Sequence, residues 1–264
     1  MEWETYPAEG DGVEHTVVGT VKILREVQSP ELENVRDLLA YLPPSYGDGD
    51  RRYPVIYMHD GQNLFDQATS FGDEWRVDET MEAAAEQGME AIVIGIPNVG
   101  DERCEEYSPF VDEKAGGGCG DDYLQFIVRT LKPLVDESFR TLPGREHTGI
   151  VGSSLGGLIS LYGFFSHPDV FGFAGVMSPS LWFAERAVFP FIESASTGPG
   201  RVYLDVGTHE GEATLRDARR MRDLLESKGY RPGDRLAYVE DVGAGHTESA
   251  WAERFGKALR YLLG

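Results

Sequence analysis

The chain turns on Thr148-Gly-Ile-Val-Gly-Ser-Ser-Leu-Gly-Gly157. An apolar run of strand character leads into Gly152, and a helical stretch opens near Leu155 and continues to His167. Only a sharp turn can join the two. Gly152, Ser154 and Gly156 give it the pattern G-x-S-x-G. A serine held at the tip of such a turn needs neighbours without side chains, because the backbone folds back on itself and positive φ is favoured. The Leu155 amide then lies at a helix N-terminus, where unpaired N–H groups and the helix dipole face any developing negative charge. The same letters also fit a glycine-rich turn without chemistry. Glycine supplies 32 of the 264 residues, so the position between strand and helix carries the argument, not the letters.

The surrounding pattern is one of alternating strands and helices. Buried strands are expected at Pro54–Met58, Met89–Ile96, Phe171–Met177, Val202–Val206 and Arg235–Val239, each a short apolar run. Helices are expected at Val77–Gln87, Asp121–Phe139 (bent at Pro133), Ala213–Lys228 and Glu248–Leu263, with Trp182–Ser194 partly helical. His15–Leu24 and Val35–Leu42 read as an antiparallel hairpin at the sheet edge, turning near Ser29-Pro30. The fold class is therefore α/β: a mostly parallel central sheet of about eight strands, helices on both faces and no large cap domain. At 264 residues, 1–264 suits a single domain. Ligand sites in such sheets gather at the C-terminal ends of the strands.

Composition narrows the partners. Arginine (19) outnumbers lysine (5), Asp plus Glu reach 45, and the formal charge is −21. Such a surface excludes nucleic acid and anionic membranes as natural partners and suits a salt-adapted, halophilic protein. The opening residues lack a basic region followed by an apolar run, and no stretch approaches a membrane span, so a cytoplasmic location is expected. Cys104 and Cys119 are too few for a disulfide framework and read as free thiols, with a single bridge across that loop as the alternative.

A serine nucleophile needs a base, an orienting acid and oxyanion donors. Three histidines follow Ser154. His167 reads as structural; His246, in a glycine-rich loop before the last helix, is favoured as base over His209. Glu210 is favoured as the acid over Asp205, which would brace the loop, with Glu212 third. Gly61 allows close backbone approach, so the Gln62 amide is the second oxyanion candidate beside Leu155. Phe71, Trp75, Asn98, Arg103, Tyr107 and Trp182 are the candidate pocket lining. His209, Glu212 and His246 make no metal spacing, and no metal or cofactor is expected.

Further segments carry a resemblance: Tyr41-Leu-Pro-Pro-Ser-Tyr46, Met58-His-Asp-Gly-Gln-Asn-Leu-Phe-Asp66, Glu74-Trp-Arg-Val-Asp78, Arg103, Glu106-Tyr-Ser-Pro109, Ser178-Pro-Ser-Leu-Trp182, Gly207-Thr-His-Glu210, and His246 with Trp251. With the serine motif, they make the chain similar to the esterase family of α/β-hydrolases that includes enterochelin esterases, feruloyl esterases, S-formylglutathione hydrolases and mycolyltransferases. The resemblance runs from about Leu39 to the C-terminus and is closest to the siderophore-esterase-like branch. It implies hydrolysis of a small-molecule carboxylic ester through an acyl-enzyme, with Ser154, His246 and Glu210 as triad and Gln62 after Asp-Gly as oxyanion residue. An acyltransferase using the same triad and a catalytically silent binding module are the rival readings. Oligomeric state is left open.

Overall fold

A computed structural model describes residues 2–8, 10 and 12–264. Among the described residues nine strands form one sheet: β1 (Glu4–Tyr6), β2 (Thr20–Ser29), β3 (Asn34–Leu42), β4 (Val55–His59), β5 (Ile92–Ile96), β6 (Thr148–Ser153), β7 (Phe173–Met177), β8 (Arg201–Gly207) and β9 (Leu236–Asp241). Their order is β1-β2-β3-β5-β4-β6-β7-β8-β9. The first four are joined by antiparallel pairings, and everything from β5 to β9 is parallel.

The helices are α1 (Val77–Ala85), α2 (Arg103–Glu106), α3 (Gly120–Gln125), α4 (Lys132–Ser138), α5 (Leu155–Ser166), α6 (Phe183–Arg186), α7 (Val188–Ser194), α8 (Glu212–Ser227) and α9 (Glu248–Leu263). Alternation of side chains along the strands divides the core into two layers. Ile56, Met58 and Val151 join Val77 and Met81 of α1 and Phe255 and Leu259 of α9 on one face. Tyr57 and Ile150 join Leu158 of α5, Ile192 of α7 and Leu225 of α8 on the other.

Two expectations are corrected here. The first hairpin strand begins at Thr20, not His15, because the Thr16 and Val18 amides bond to the carboxylates of Asp66 and Asp78. Glu4–Tyr6 then pairs with β2, adding a ninth strand outside the hairpin. The expected helix Asp121–Phe139 widens into a π-helical segment at Phe126–Leu131 between α3 and α4. Pro133, two residues past its end, has no N–H for the regular ladder, which accounts for the local rewinding.

Candidate active site

The parallel strands deliver their C-terminal loops to one edge of the sheet. Ser154 follows β6 at φ 58°, ψ −123°, a conformation costly for a side-chain-bearing residue. Its glycine neighbours make that possible. A Cβ on Gly152 would lie 2.7 Å from the Gly156 carbonyl, and one on Gly157 would lie 2.9 Å from the Met177 carbonyl oxygen. The Ser154 amide donates to Met177 O (3.1 Å), and its hydroxyl lies 3.2 Å from Ser180 Oγ.

The loop after β4 approaches from the side. Asp60 adopts left-handed geometry at φ 54°, and a short 3₁₀ turn, Gly61–Asn63, presents Gln62. A Cβ on Gly61 would lie 2.6 Å from Gly95 C and Ile96 N, so only glycine fits against β5. Asp60 accepts from Arg103 Nε (2.7 Å) and Nη2 (2.8 Å) and from Asn98 Nδ2 (2.7 Å). Burial would push this carboxyl up, but the Arg103 and Asn98 bonds hold it below its ordinary value. Asn98 N–H also donates to Gln62 Oε1 (3.2 Å), and Thr69 Oγ donates to Gln62 O (2.7 Å), fixing the turn. Beneath it, His59 is fully buried and bonds Tyr123 OH (2.8 Å); burial pushes its imidazole down to about 3, so it stays neutral. Among the described residues neither the Gln62 nor the Leu155 amide donates a hydrogen bond.

From the far side come Glu210, in the loop after β8, and His246, in the loop after β9. His246 Nδ1 donates to Glu210 Oε2 at 2.8 Å, which leaves Nε2 as the basic nitrogen of the neutral ring. Glu210 Oε1 accepts from Ser178 Oγ (2.5 Å) and the Gly207 amide (2.6 Å). Burial would raise this carboxyl, but the bonds from His246, Ser178 and Gly207 hold it low. Its side chain is 1% exposed against 41% for His246, so the acid is locked and the imidazole reaches solvent.

A buried arginine underlies this pair. Arg254, from α9, donates to Asp205 Oδ2 (Nε, 3.0 Å), Asp205 Oδ1 (Nη2, 3.2 Å) and Ser178 Oγ (Nη2, 2.7 Å). Trp251, one turn earlier, donates to the same Ser178 Oγ (3.0 Å) and packs edge-on against the His246 ring at 5.0 Å. Ser178, Ser180 and Arg254 were missed as functional positions by sequence reasoning. For Arg254 a signal exists: it shares the apolar stripe of α9 with Trp251, Phe255 and Ala258.

A cavity of about 780 Å³ joins these groups, lined by Ser154, His246, Gln62, Phe71, Trp75, Asn98 and Arg103 among others. Two expected lining residues are outside it. Tyr107 is fully buried, its hydroxyl accepting the Asp60 amide at 3.0 Å, so it supports the loop from below. Trp182 is 52% exposed and packs at a tilt against Phe183 instead. Arg103 reaches the cavity, but with its guanidinium committed to Asp60. Asp205 pairs with Arg254 in place of His246, His209 is exposed, and His167 bonds Gln125 and Ser166 away from the site. Cys104 and Cys119 are free.

Residues 29–262 match the family described as "Putative esterase". The chain belongs to that family. It is 30% identical over 244 residues to "Uncharacterized protein YbbA" of Bacillus subtilis (strain 168), covering 87% of this chain and 93% of YbbA. It is 33% identical over 139 residues to the siderophore triacetylfusarinine C esterase of Aspergillus fumigatus, covering 49% of this chain and 44% of that esterase. The enterobactin esterase FES from Shigella flexneri has a similar structure, with TM-score 0.73 and 19% identity over 93% of this chain and 59% of FES. The sheet order and this likeness identify an α/β-hydrolase fold. As a member of the esterase family the chain is a carboxylic ester hydrolase. No helix among the described residues is long and apolar enough to cross a membrane.

Proposed function

We propose that the chain hydrolyses a small-molecule ester through an acyl-enzyme formed on Ser154. The observation that carries this reading is that one cavity unites a serine on a strained strand-to-helix turn with a histidine oriented by a buried carboxylate. On substrate arrival Ser154 Oγ gives up its Ser180 contact for His246 Nε2, which takes the proton as Oγ attacks the ester carbonyl. Catalytic hydrogen bonds commonly tighten only in the substrate complex. The Leu155 and Gln62 amides hold the oxyanion, and Glu210 stabilises the imidazolium. Collapse expels the alcohol, protonated by His246. A water deprotonated by the same nitrogen then attacks the acyl group, releasing the acid and returning the proton to Ser154.

The siderophore-esterase relatives suggest a siderophore-like ester, and the cavity sets its charge. Asp60, Asp101 and Glu248 line it against a single arginine and no lysine among its lining residues, and that arginine, Arg103, is already paired. Neutral or cationic esters fit; an anionic metal–catecholate complex meets repulsion. The test is hydrolysis of p-nitrophenyl acetate, butyrate and octanoate, with labelling by a serine-directed phosphonate. Ser154→Ala is expected to lower kcat by at least about 10³-fold and to abolish labelling with the fold intact. Labelling that persists in the variant would move the nucleophile elsewhere.

A further inference from the structure

A second depression, about 680 Å³, opens between α1 and α9 and shares no lining residue with the ester cavity. Glu74 and Glu79 line it, and Asp78 is fully buried. One carboxylate oxygen from each of the three lies within 4.8 Å of the others. Two of the acids are anchored through one oxygen: Glu74 Oε2 accepts from Thr16 Oγ (2.7 Å) and Asp78 Oδ2 from the Val18 amide (2.7 Å). Glu74 Oε1, Asp78 Oδ1 and Glu79 Oε2 are buried, and among the described residues each lacks a hydrogen-bond partner. Glu74 is 5% and Asp78 0% exposed, so bulk water solvates them poorly.

Buried carboxylates this close cannot all stay ionised on their own, and either a proton or a cation must relieve them. Arg76, Lys257 and Arg260 line the same depression, and Arg76 lowers the Glu74 carboxyl through space, yet among the described residues no lysine or arginine makes an ion pair with the three acids. Asp78 and Glu79 stand in the first turn of α1, and burial, with Glu79 beside it, pushes the Asp78 carboxyl up to about 8. Oxygens bound at roughly 2.3–2.6 Å to one ion are separated by at most about 5 Å, a limit this cluster satisfies. All-oxygen donors select a hard cation, and three carboxylates suit calcium better than magnesium, which usually takes one or two with several waters.

We propose that Glu74, Asp78 and Glu79 bind one calcium ion, with water from the open depression completing its shell. The anchored oxygens of Glu74 and Asp78 would then couple the ion to Thr16 and Val18, so calcium would clamp the segment before β2 onto α1. This site acts on stability and does not touch the ester cavity.

The test is calorimetric titration of the chelator-stripped full chain with calcium chloride in about 0.2 M KCl, which suppresses diffuse attraction to the acidic surface. A tryptophan-sensitised terbium luminescence titration runs beside it. One saturable site is expected, with a melting temperature raised by about 5 °C or more once calcium exceeds Kd a hundredfold. Asp78→Asn and Glu79→Gln should each weaken binding by about tenfold or more, while Glu212→Gln, an exposed control, leaves it unchanged. Should Asp78→Asn not fold, the partly exposed Glu79→Gln decides alone. Absence of a saturable site, or binding equal in wild type and Glu79→Gln, overturns the proposal. Stabilisation by Asp78→Asn without any calcium response would also overturn it and assign a shared proton to the cluster.

Discussion

Glu210 uses its two oxygens differently: Oε2 receives the His246 Nδ1 proton, and Oε1 receives Ser178 and the Gly207 amide. An amide in its place cannot accept on both sides with equal strength. Glu210→Gln that turns its NH₂ toward His246 forces the proton to Nε2, removing the base. We expect kcat to fall by about 10³–10⁴-fold with the fold retained, measured on p-nitrophenyl butyrate. The acid also predicts a pH dependence. Its folded pKa lies below the ordinary carboxylate value, so its stabilisation is present above about pH 4.3 and is lost as pH falls through the depressed value. The melting-temperature deficit of Glu210→Gln should therefore be largest near pH 6 and shrink toward pH 3. A constant deficit over that range would exclude the ionised pair as its source. Gly61 makes a separate demand, since an added Cβ meets backbone atoms of β5 at 2.6 Å. Gly61→Ala should displace the Gln62 amide and cost about a hundredfold in kcat, the loss typical of one oxyanion donor.

Helix α9 is joined to β8 by a charge pair in which neither partner is exposed, Arg254 with Asp205. Breaking one side strands the other in the core, so Arg254→Met should destabilise by about 3–5 kcal/mol in urea unfolding. Arg254→Met with Asp205→Leu should recover part of that loss, because an apolar pair leaves no buried charge. The double variant should still turn over slowly, since Ser178 loses the Nη2 donor beneath Glu210; full activity would show that Arg254 serves packing alone. Elements of this kind define what the sequence made legible. The near-continuous apolar runs at β4 and β5, bounded by turn residues, read as buried strands, and the turn at Ser154 follows from its glycines. By contrast, β1 is three residues of Glu-Thr-Tyr without an apolar pattern, held by pairing to β2. Val17 and Val18 look like strand, yet this segment is bonded to side-chain carboxylates that no local pattern announces. Tyr107 reads identically whether it faces a cavity or supports a loop from beneath. Only the tertiary arrangement separates the two.

At the scale of the whole molecule, a charge of −21 and an acidic cavity rim act together. Like charges crowded on one surface oppose the compact state, and the opposition extends about 10 Å at 0.1 M salt but only about 3 Å at 1 M. Raising KCl from about 0.05 to 1 M should therefore raise the melting temperature, with sodium chloride equally effective at equal ionic strength. If sulfate stabilises and chloride does not, preferential exclusion and not screening is at work. The same field acts on substrates. A cationic ester should show a lower KM than a neutral isostere at low salt, an anionic one a higher KM, and the difference should collapse toward unity near 1 M while kcat stays fixed. Because Arg103 is already neutralised by Asp60, no local basic patch offsets this order. An anionic ester favoured at low salt would mean that Arg103 leaves Asp60 to meet it, and Asp60→Asn would then strengthen that preference instead of merely weakening the loop.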